Sequence, residues 1–266
     1  MSAIGVFDSG LGGTTVLRSL AQRFPNEKFL YIGDTARLPY GTKSPQTIRK
    51  YLEQATKTLI SQSVKAVVVA CNSASTQVRE NLFDGVPIFN VIDPGVTAAL
   101  QASESGRIGV LGTRSTVESG EYQRRLRERA GERELHIAAV ACPLFVPLAE
   151  EGWIDDPITN LVAYRYLSAL KESNIDTLIL GCTHYPLLKS SIARVMGNSV
   201  TLVDSGEALG DLIQSEFSTG NLQAHTGPLE LHLRSTDVST YFLRMAETFL
   251  FPLKPDSFEK IDLLLT

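Results

Sequence analysis

Val67-Val68-Val69-Ala70-Cys71-Asn72 is a stretch that the chain writes twice. Leu178-Ile179-Leu180-Gly181-Cys182-Thr183 repeats its pattern 111 residues later. In both, a short unbroken apolar run ends on a cysteine followed by a small polar residue. Runs of this kind suit parallel strands that are covered on both faces. Val91-Ile92-Asp93-Pro94-Gly95 and Leu202-Val203-Asp204-Ser205-Gly206 stand at the same separation of 111, as do Gly41 and Gly152. Ile4-Gly5-Val6-Phe7-Asp8-Ser9 resembles Ile108-Gly109-Val110-Leu111-Gly112-Thr113 at a separation of 104. One such match between apolar strands would be chance. Several in the same order predict two similar α/β halves.

Working outward, strands are expected at Ile4–Phe7, Phe29–Ile32, Ala66–Ala70, Ile88–Ile92, Ile108–Leu111, Ile137–Ala141, Leu178–Leu180 and Val200–Val203. Helical patterns lie between them. Ser44-Pro45 is a plausible N-cap and first-turn pair, and Ile48, Leu52, Ala55 and Leu59 follow at helical spacing. Leu161, Tyr164, Leu167 and Leu170 repeat in the same way. Further helices are expected over about Ala74 to Phe83 and Tyr185 to Val195. The alternation predicts an α/β protein: two similar three-layer domains with mostly parallel sheets, pseudo-twofold related, with the site in the cleft between them. The turns at 93–95 and 204–206 are natural crossovers. One half is therefore expected from 1–97 plus 206–266, and the other from 98–205.

Composition excludes several classes of partner. The 266 residues are 43% apolar and 20% charged, which is ordinary for a globular chain with a sizeable core. Lys+Arg is 25 against 29 Asp+Glu, giving a net charge of −4. Neither nucleic acid nor an acidic membrane is expected as a partner. The densest basic stretch, Arg124 to Arg133, is interleaved with Glu128 and Glu132 and reads as a solvated helix face. The N-terminus has no basic n-region or long apolar h-region, so a secretory signal is not expected, and no run reaches the ~18 apolar residues of a membrane span. A cytoplasmic protein is expected. The three cysteines form no C-x-x-C, so neither a zinc site nor a disulfide framework is indicated.

Cys71 and Cys182 each follow a strand pattern and precede a helical one. Ligands bind at the carboxyl ends of parallel strands. A thiol there lies near a helix N-terminus, which favours thiolate. Either cysteine alone reads most simply as a small buried residue; two at matched positions point to chemistry. Cys142 precedes Pro143, has no counterpart and reads as structural. His184 and Asp8 stand where an imidazole and a carboxylate can exchange protons with the thiols. Asp8 could equally be an N-cap. The loop Asp8-Ser9-Gly10-Leu11-Gly12-Gly13-Thr14 is not a dinucleotide fingerprint, because the third glycine of that pattern would fall on Thr15. Its bare N–H groups could still cradle a carboxylate. Ser9, Asn72, Ser73, Thr113, Thr116 and Thr183 supply neutral donors at the other strand ends. Such a set suits a small polar anion, and it leaves each thiol free to serve as acid or base.

These motifs resemble the glutamate racemases of the aspartate/glutamate racemase superfamily. The likeness rests on Gly5-Val6-Phe7-Asp8-Ser9-Gly10-Leu11-Gly12-Gly13, on Gly33-Asp34-Thr35 leading to Pro39-Tyr40-Gly41, and on Ala70-Cys71-Asn72-Ser73-Ala74-Ser75. It continues through Cys142-Pro143-Leu144-Phe145-Val146-Pro147-Leu148, Glu150 and Gly181-Cys182-Thr183-His184-Tyr185-Pro186, in order up to about Asp204. The Cys-Thr-His-Tyr-Pro block favours the glutamate over the aspartate enzymes. The family usually has threonine where this chain has Ser73, which keeps the hydroxyl. The resemblance implies cofactor-independent racemisation of glutamate, supplying D-glutamate for peptidoglycan and hence the bacterial cell wall and cell shape. It implies that Cys71 deprotonates the D-isomer and Cys182 the L-isomer, assisted by Asp8 and His184 respectively. Glu150 would sit behind His184 or near the substrate ammonium. Ser9, Pro39, Tyr40, Gly41, Asn72, Ser73, Thr113, Thr116 and Thr183 would join Asp8 and His184 in holding the substrate. No metal and no pyridoxal phosphate is implied, since no lysine lies in these motifs to form a Schiff base. Homodimers are common in the family, so a second copy is an expected partner. A long N-terminal extension, which some members use for activation by a cell-wall precursor, is absent here, so such activation is not expected.

Three other readings stay open from the residues. The chain could racemise aspartate or another amino acid. Cys182 and His184 could form the nucleophile and base of a hydrolase or transferase, which would show a covalent adduct during turnover. The chain could be a two-lobed small-molecule binder with both cysteines in its core, in which case replacing both by serine would leave ligand affinity intact.

Overall fold

A computed structural model describes residues 2–264. Its strands are β1 (Ile4–Asp8), β2 (Lys28–Gly33), β3 (Ala66–Val69), β4 (Leu82–Phe83), β5 (Val86–Asn90), β6 (Arg107–Gly112), β7 (His136–Ala141), β8 (Thr177–Gly181), β9 (Thr201–Asp204), β10 (Glu230–Ser235) and β11 (Ser257–Lys260). Its α-helices are α1 (Gly13–Arg23), α2 (Pro45–Ser61), α3 (Asn72–Ser75), α4 (Ile92–Ala102), α5 (Arg114–Glu118), α6 (Glu121–Ala130), α7 (Phe145–Glu150), α8 (Pro157–Glu172), α9 (Lys189–Met196), α10 (Ser205–Ser218) and α11 (Thr240–Leu250).

The strands form two sheets, ordered β11-β10-β2-β1-β3-β5-β4 and β7-β6-β8-β9. Every pairing is parallel except β4 with β5. The run β2-β1-β3-β5 in one sheet has the same order as β7-β6-β8-β9 in the other. The repeat seen in the sequence is thus a repeat of topology: β1 corresponds to β6, and β3 to β8. Helices cover both faces of the larger sheet. Leu17, Leu20, Leu209, Ile213 and Phe249 pack with Val6, Phe29 and Val68 on one side. Ile48, Leu52, Ala55 and Leu59 pack with Phe7, Ile32, Val67 and Val69 on the other. Ser44 caps α2 by accepting from the Thr47 N–H at 3.3 Å, with Pro45 in the first turn. Each fully buried leucine or isoleucine on that stripe contributes about 1.5–3 kcal/mol of transfer free energy.

The structure corrects five details. The strand expected at Ile88–Ile92 runs instead over Val86–Asn90, because the Asn90 side chain accepts from the Ile92 and Asp93 N–H groups and starts α4. The helix expected from about Ala74 to Phe83 is a single turn, Asn72–Ser75, and Leu82–Phe83 pairs as an edge strand. Between Tyr185 and Val195, a 3-10 turn precedes the α-helix. Of the α8 stripe, Leu167 and Leu170 are buried while Leu161 and Tyr164 are exposed, so only half of it faces the core. Arg125 is not solvated; it lies in the α4–α6 seam, paired with Glu121 and Asp93. Ile92, Val96 and Ala99 of α4 share a core with Ile108, Val110 and Ile179. We therefore propose that the second half begins near residue 92 rather than at 98. Among the described residues no helix is long and apolar enough to cross a membrane.

Candidate active site

β1, β3, β6 and β8 are central strands, and their carboxyl ends carry Asp8, Cys71, Thr113 and Cys182. Cys71 caps the one-turn α3. Its sulfur accepts from the Ala74 N–H at 3.4 Å and donates to Ser9 Oγ at 3.4 Å. Cys182 follows β8, with its sulfur 3.9 Å from His184 Nδ1. The far nitrogen of that ring, Nε2, lies 3.0 Å from Glu150 Oε1. The carbonyl of Glu150 in turn accepts from the Tyr241 hydroxyl at 2.7 Å, a strap thrown across by α11. Asp8 is buried. Its Oδ2 accepts from the Gly10 N–H at 2.9 Å and its Oδ1 from the Thr183 hydroxyl at 3.4 Å. Among the described residues no hydrogen bond joins Asp8 to Cys71; the side chain that bonds the thiol is Ser9.

Both thiols open on one cavity of about 310 Å³, lined also by Ser9, Pro39, Tyr40, Gly41, Asn72, Ser73, Thr113, Glu150, Thr183 and His184. Two of the expected residues stand behind its wall. Asp8 sits under the Gly10 turn. Thr116, buried, backs Ser73 and Thr113 through hydroxyl contacts of 3.3 and 3.0 Å. The Tyr40 hydroxyl donates to Asp34 at 2.5 Å, so its O–H is committed to that carboxylate. The two sheets meet around the cavity through side chains. Ser73 and Thr113 hydroxyls lie 2.9 Å apart, Asn72 Nδ2 donates to Tyr122 at 2.8 Å, and the Thr15 hydroxyl donates to the Thr183 carbonyl at 2.8 Å.

The electrostatics of the two ends differ. Burial pushes the Cys71 thiol up to about 12, and the nearby Asp8 carboxylate adds to this. The Ala74 N–H at the start of α3 and the Ser9 hydroxyl pull the thiol the other way, toward thiolate, but burial outweighs them. Burial opposes the charged form of His184, but Cys182 and Glu150 outweigh it and raise the imidazole to about 10. Burial also lifts the Asp8 carboxyl above its usual range, against the pull of His184 and the Gly10 and Gly13 N–H groups. Cys142 is fully buried and burial raises its thiol; it borders neither sulfur's cavity face. Among the described residues no group of three or more His, Cys, Asp or Glu side chains could hold a metal ion.

Gly12 and Gly41 leave room for other residues of the site. A Cβ at Gly12 would overlap Thr183 Oγ1 and the His184 ring, and one at Gly41 would come within 2.7 Å of Thr113 Cβ. Sequence reasoning missed Gly10, Leu38, Thr42, Arg114, Pro143, Val146 and Pro147 as cavity-lining residues. Arg114 could have been found from its place directly after Thr113 at a strand end. Pro143, Val146 and Pro147 lie in a motif already quoted, but prolines and valine carry no chemical signal of their own.

Paired parallel α/β sheets, with a thiol at the end of each corresponding strand and one shared cavity, define the racemase class of fold. A family model for Asp/Glu/Hydantoin racemases matches residues 4–212. The chain is 43% identical over 251 residues to the glutamate racemase of Geobacter metallireducens, covering 93% of this chain and 92% of that protein. It is 47% identical over 238 residues to that of Aquifex pyrophilus, covering 89% of each. A solved Thermus thermophilus glutamate racemase, in complex with beta-chloro-D-alanine, superposes with a TM-score of 0.87 at 40% identity, covering 98% of this chain and 97% of that one. One from Francisella tularensis, in complex with D-glutamate, gives 0.88 at 34% identity over 98% and 97% of the chains. The chain belongs to the Asp/Glu racemase family.

Proposed function

We propose that this protein interconverts L- and D-glutamate by a two-base mechanism without a cofactor, with Cys71 and Cys182 on opposite faces of the substrate Cα. The observation that carries this reading is the opening of both thiols, from corresponding ends of β3 and β8, on the same cavity. Identity above 40% to glutamate racemases over about nine-tenths of the chain supports the choice of substrate.

In the direction from L to D, Cys182 as thiolate takes the Cα proton and the Cys71 thiol donates one to the far face. The reverse reaction exchanges the roles. Each turnover thus moves one proton onto one sulfur and one off the other. His184 exchanges protons with Cys182, held by Glu150. On the other side Ser9 hydrogen-bonds Cys71 directly, and Asp8 acts beneath it through its charge. Ser73, Thr113, Thr183, Asn72 and the Tyr40–Gly41 backbone hold the carboxylates and ammonium. The Cα proton is very weakly acidic, so the carbanionic transition state depends on such preorganised donors in a dry cleft. The D-glutamate formed would serve peptidoglycan synthesis.

The test is incubation with L-glutamate in D2O. Optical rotation should decay to zero while deuterium enters Cα, and Cys71→Ser and Cys182→Ser should each abolish racemisation. Full activity in either single variant would end the two-base assignment.

A further inference from the structure

Asp34 follows β2 and is fully buried, yet it does not line the cavity. A buried carboxylate is costly unless it is paired and hydrogen-bonded. This one is: Oδ2 accepts from Arg37 Nε at 2.6 Å and from the Tyr40 hydroxyl at 2.5 Å, and Oδ1 accepts from the Thr236 hydroxyl at 3.0 Å. Arg37 is fixed in its turn. It donates to Gln54 at 2.6 Å, and its guanidinium lies 3.9 Å over the Tyr51 ring. The same segment is latched to the end of β10. The Thr35 hydroxyl donates to the Asp237 carbonyl at 2.7 Å, and the Ala36 N–H donates to Thr236 Oγ1 at 3.0 Å. What this cluster holds is the arm Leu38–Thr42, and all five of its residues line the cavity.

We propose that Asp34 is a positioning residue for racemisation, acting through Tyr40 and completed by Thr236, that sets the substrate-binding arm against the cavity. The proposal rests on the racemase reading of that cavity. It also gives a role to β10, which lies beyond the stretch matched by the family model. Asp34 accepts the Tyr40 O–H and holds it pointing backward, which fixes the depth of the arm against the cavity. Losing the carboxylate frees the arm without touching either thiol. Substrate affinity is then affected more than the proton transfers.

The experiment measures kcat and KM for both glutamate isomers, with thermal unfolding as a control, in Asp34→Ala, Asp34→Asn, Thr236→Val, Tyr40→Phe and the Asp34→Ala/Tyr40→Phe double variant. Asp34→Ala should raise KM about tenfold in both directions while kcat falls less than about threefold, as expected for lost positioning rather than lost chemistry. Asn keeps an acceptor for Tyr40 and Arg37, and it should restore most of the affinity. Tyr40→Phe should reproduce the Asp34→Ala effect, and the double variant should be no worse than Asp34→Ala alone. Asp34→Ala leaves Arg37 uncompensated and could prevent folding. Thr236→Val removes only a hydroxyl, with its bond to the Asp34 carboxylate and the one it accepts from the Ala36 N–H, and should still raise KM about threefold or more. Unchanged KM with reduced kcat, the mark of a smaller folded fraction, would overturn the proposal, as would multiplicative effects in the double variant. If the wild-type protein does not racemise glutamate, the racemase reading itself fails and the arm loses the role given to it.

Discussion

Gly12 and His184 compete for one space: the imidazole stands where a side chain at position 12 would be, on the opposite side of the seam between the sheets. The loop that opens α1 therefore shapes the basic end of the site by leaving it empty. Gly12→Ala should push the ring off Cys182 and Glu150. Because a displacement near 1 Å can cost about a hundredfold, kcat for glutamate should fall by that order, while far-UV circular dichroism stays native. Polarimetry with both isomers checks this; activity within threefold of wild type would show that the ring has room to yield.

The raised imidazole makes a stability prediction. Unfolded histidine titrates near 6.5, and His184 in the fold near 10. A proton held more tightly by the native state stabilises it fully below pH 6.5 and loses that contribution as pH rises toward 10. Urea midpoints should decline across this window, by at most about 1.4 kcal/mol per pH unit from this group. His184→Asn should flatten the decline. An equally steep slope in that variant would place its origin elsewhere.

Cys71 should be a slow nucleophile in the substrate-free protein. With its thiol held near 12 by burial and by Asp8, little thiolate exists at pH 8. Iodoacetamide labelling, followed by peptide mass spectrometry, should modify it more than tenfold slower than free cysteine. Asp8→Asn removes the second cause and should speed the reaction severalfold. Faster labelling of Cys71 than of free cysteine would contradict the desolvated thiol.

Arg125 joins α6 to α4. Its guanidinium pairs with Glu121 at 2.8 Å and with Asp93, and all three side chains are largely buried. Arg125→Ala removes one of two arginine partners from each carboxylate, since Arg124 still pairs with Glu121 and Arg129 with Asp93, and should cost about 1.5–3 kcal/mol. Arg125→Met with Glu121→Leu should recover part of that, as chemical denaturation can measure. A loss below 1 kcal/mol in Arg125→Ala would mean that water reaches the seam.

Much of this fold is legible in the sequence. The eight strands expected from continuous apolar runs all exist, since parallel strands buried on both faces write themselves as uninterrupted hydrophobicity. β10 and β11 are missed: Glu230-Leu231-His232-Leu233-Arg234-Ser235 alternates as a half-buried strand does, but a search for continuous apolar runs passes over it. The reading of Ala74–Phe83 as helix fails because composition there carries no stop signal, whereas the chain tightens into three-residue turns after Ser75, with the Gln77 N–H on the Ala74 carbonyl and the Val78 N–H on the Ser75 carbonyl. Cys71, Cys182 and His184 were found from their places at strand ends. Arg114 and the proline-rich wall were not, because lining a cavity depends on where a loop returns in space. Arg125 misled in the same way: a charged residue in a charged stretch reads as surface until its partner from another helix is known.

The two ends of the cavity are chemically unlike, with a serine and a carboxylate near one sulfur and an imidazole beside the other. The substrates they serve are mirror images with equal free energy in water, so the overall equilibrium constant is fixed at one. By the Haldane relation, kcat/KM must then be equal for the two isomers whatever these neighbours do. Any inequality built into the flanking groups can surface only as parallel differences, the isomer with the higher kcat having a KM higher by the same factor.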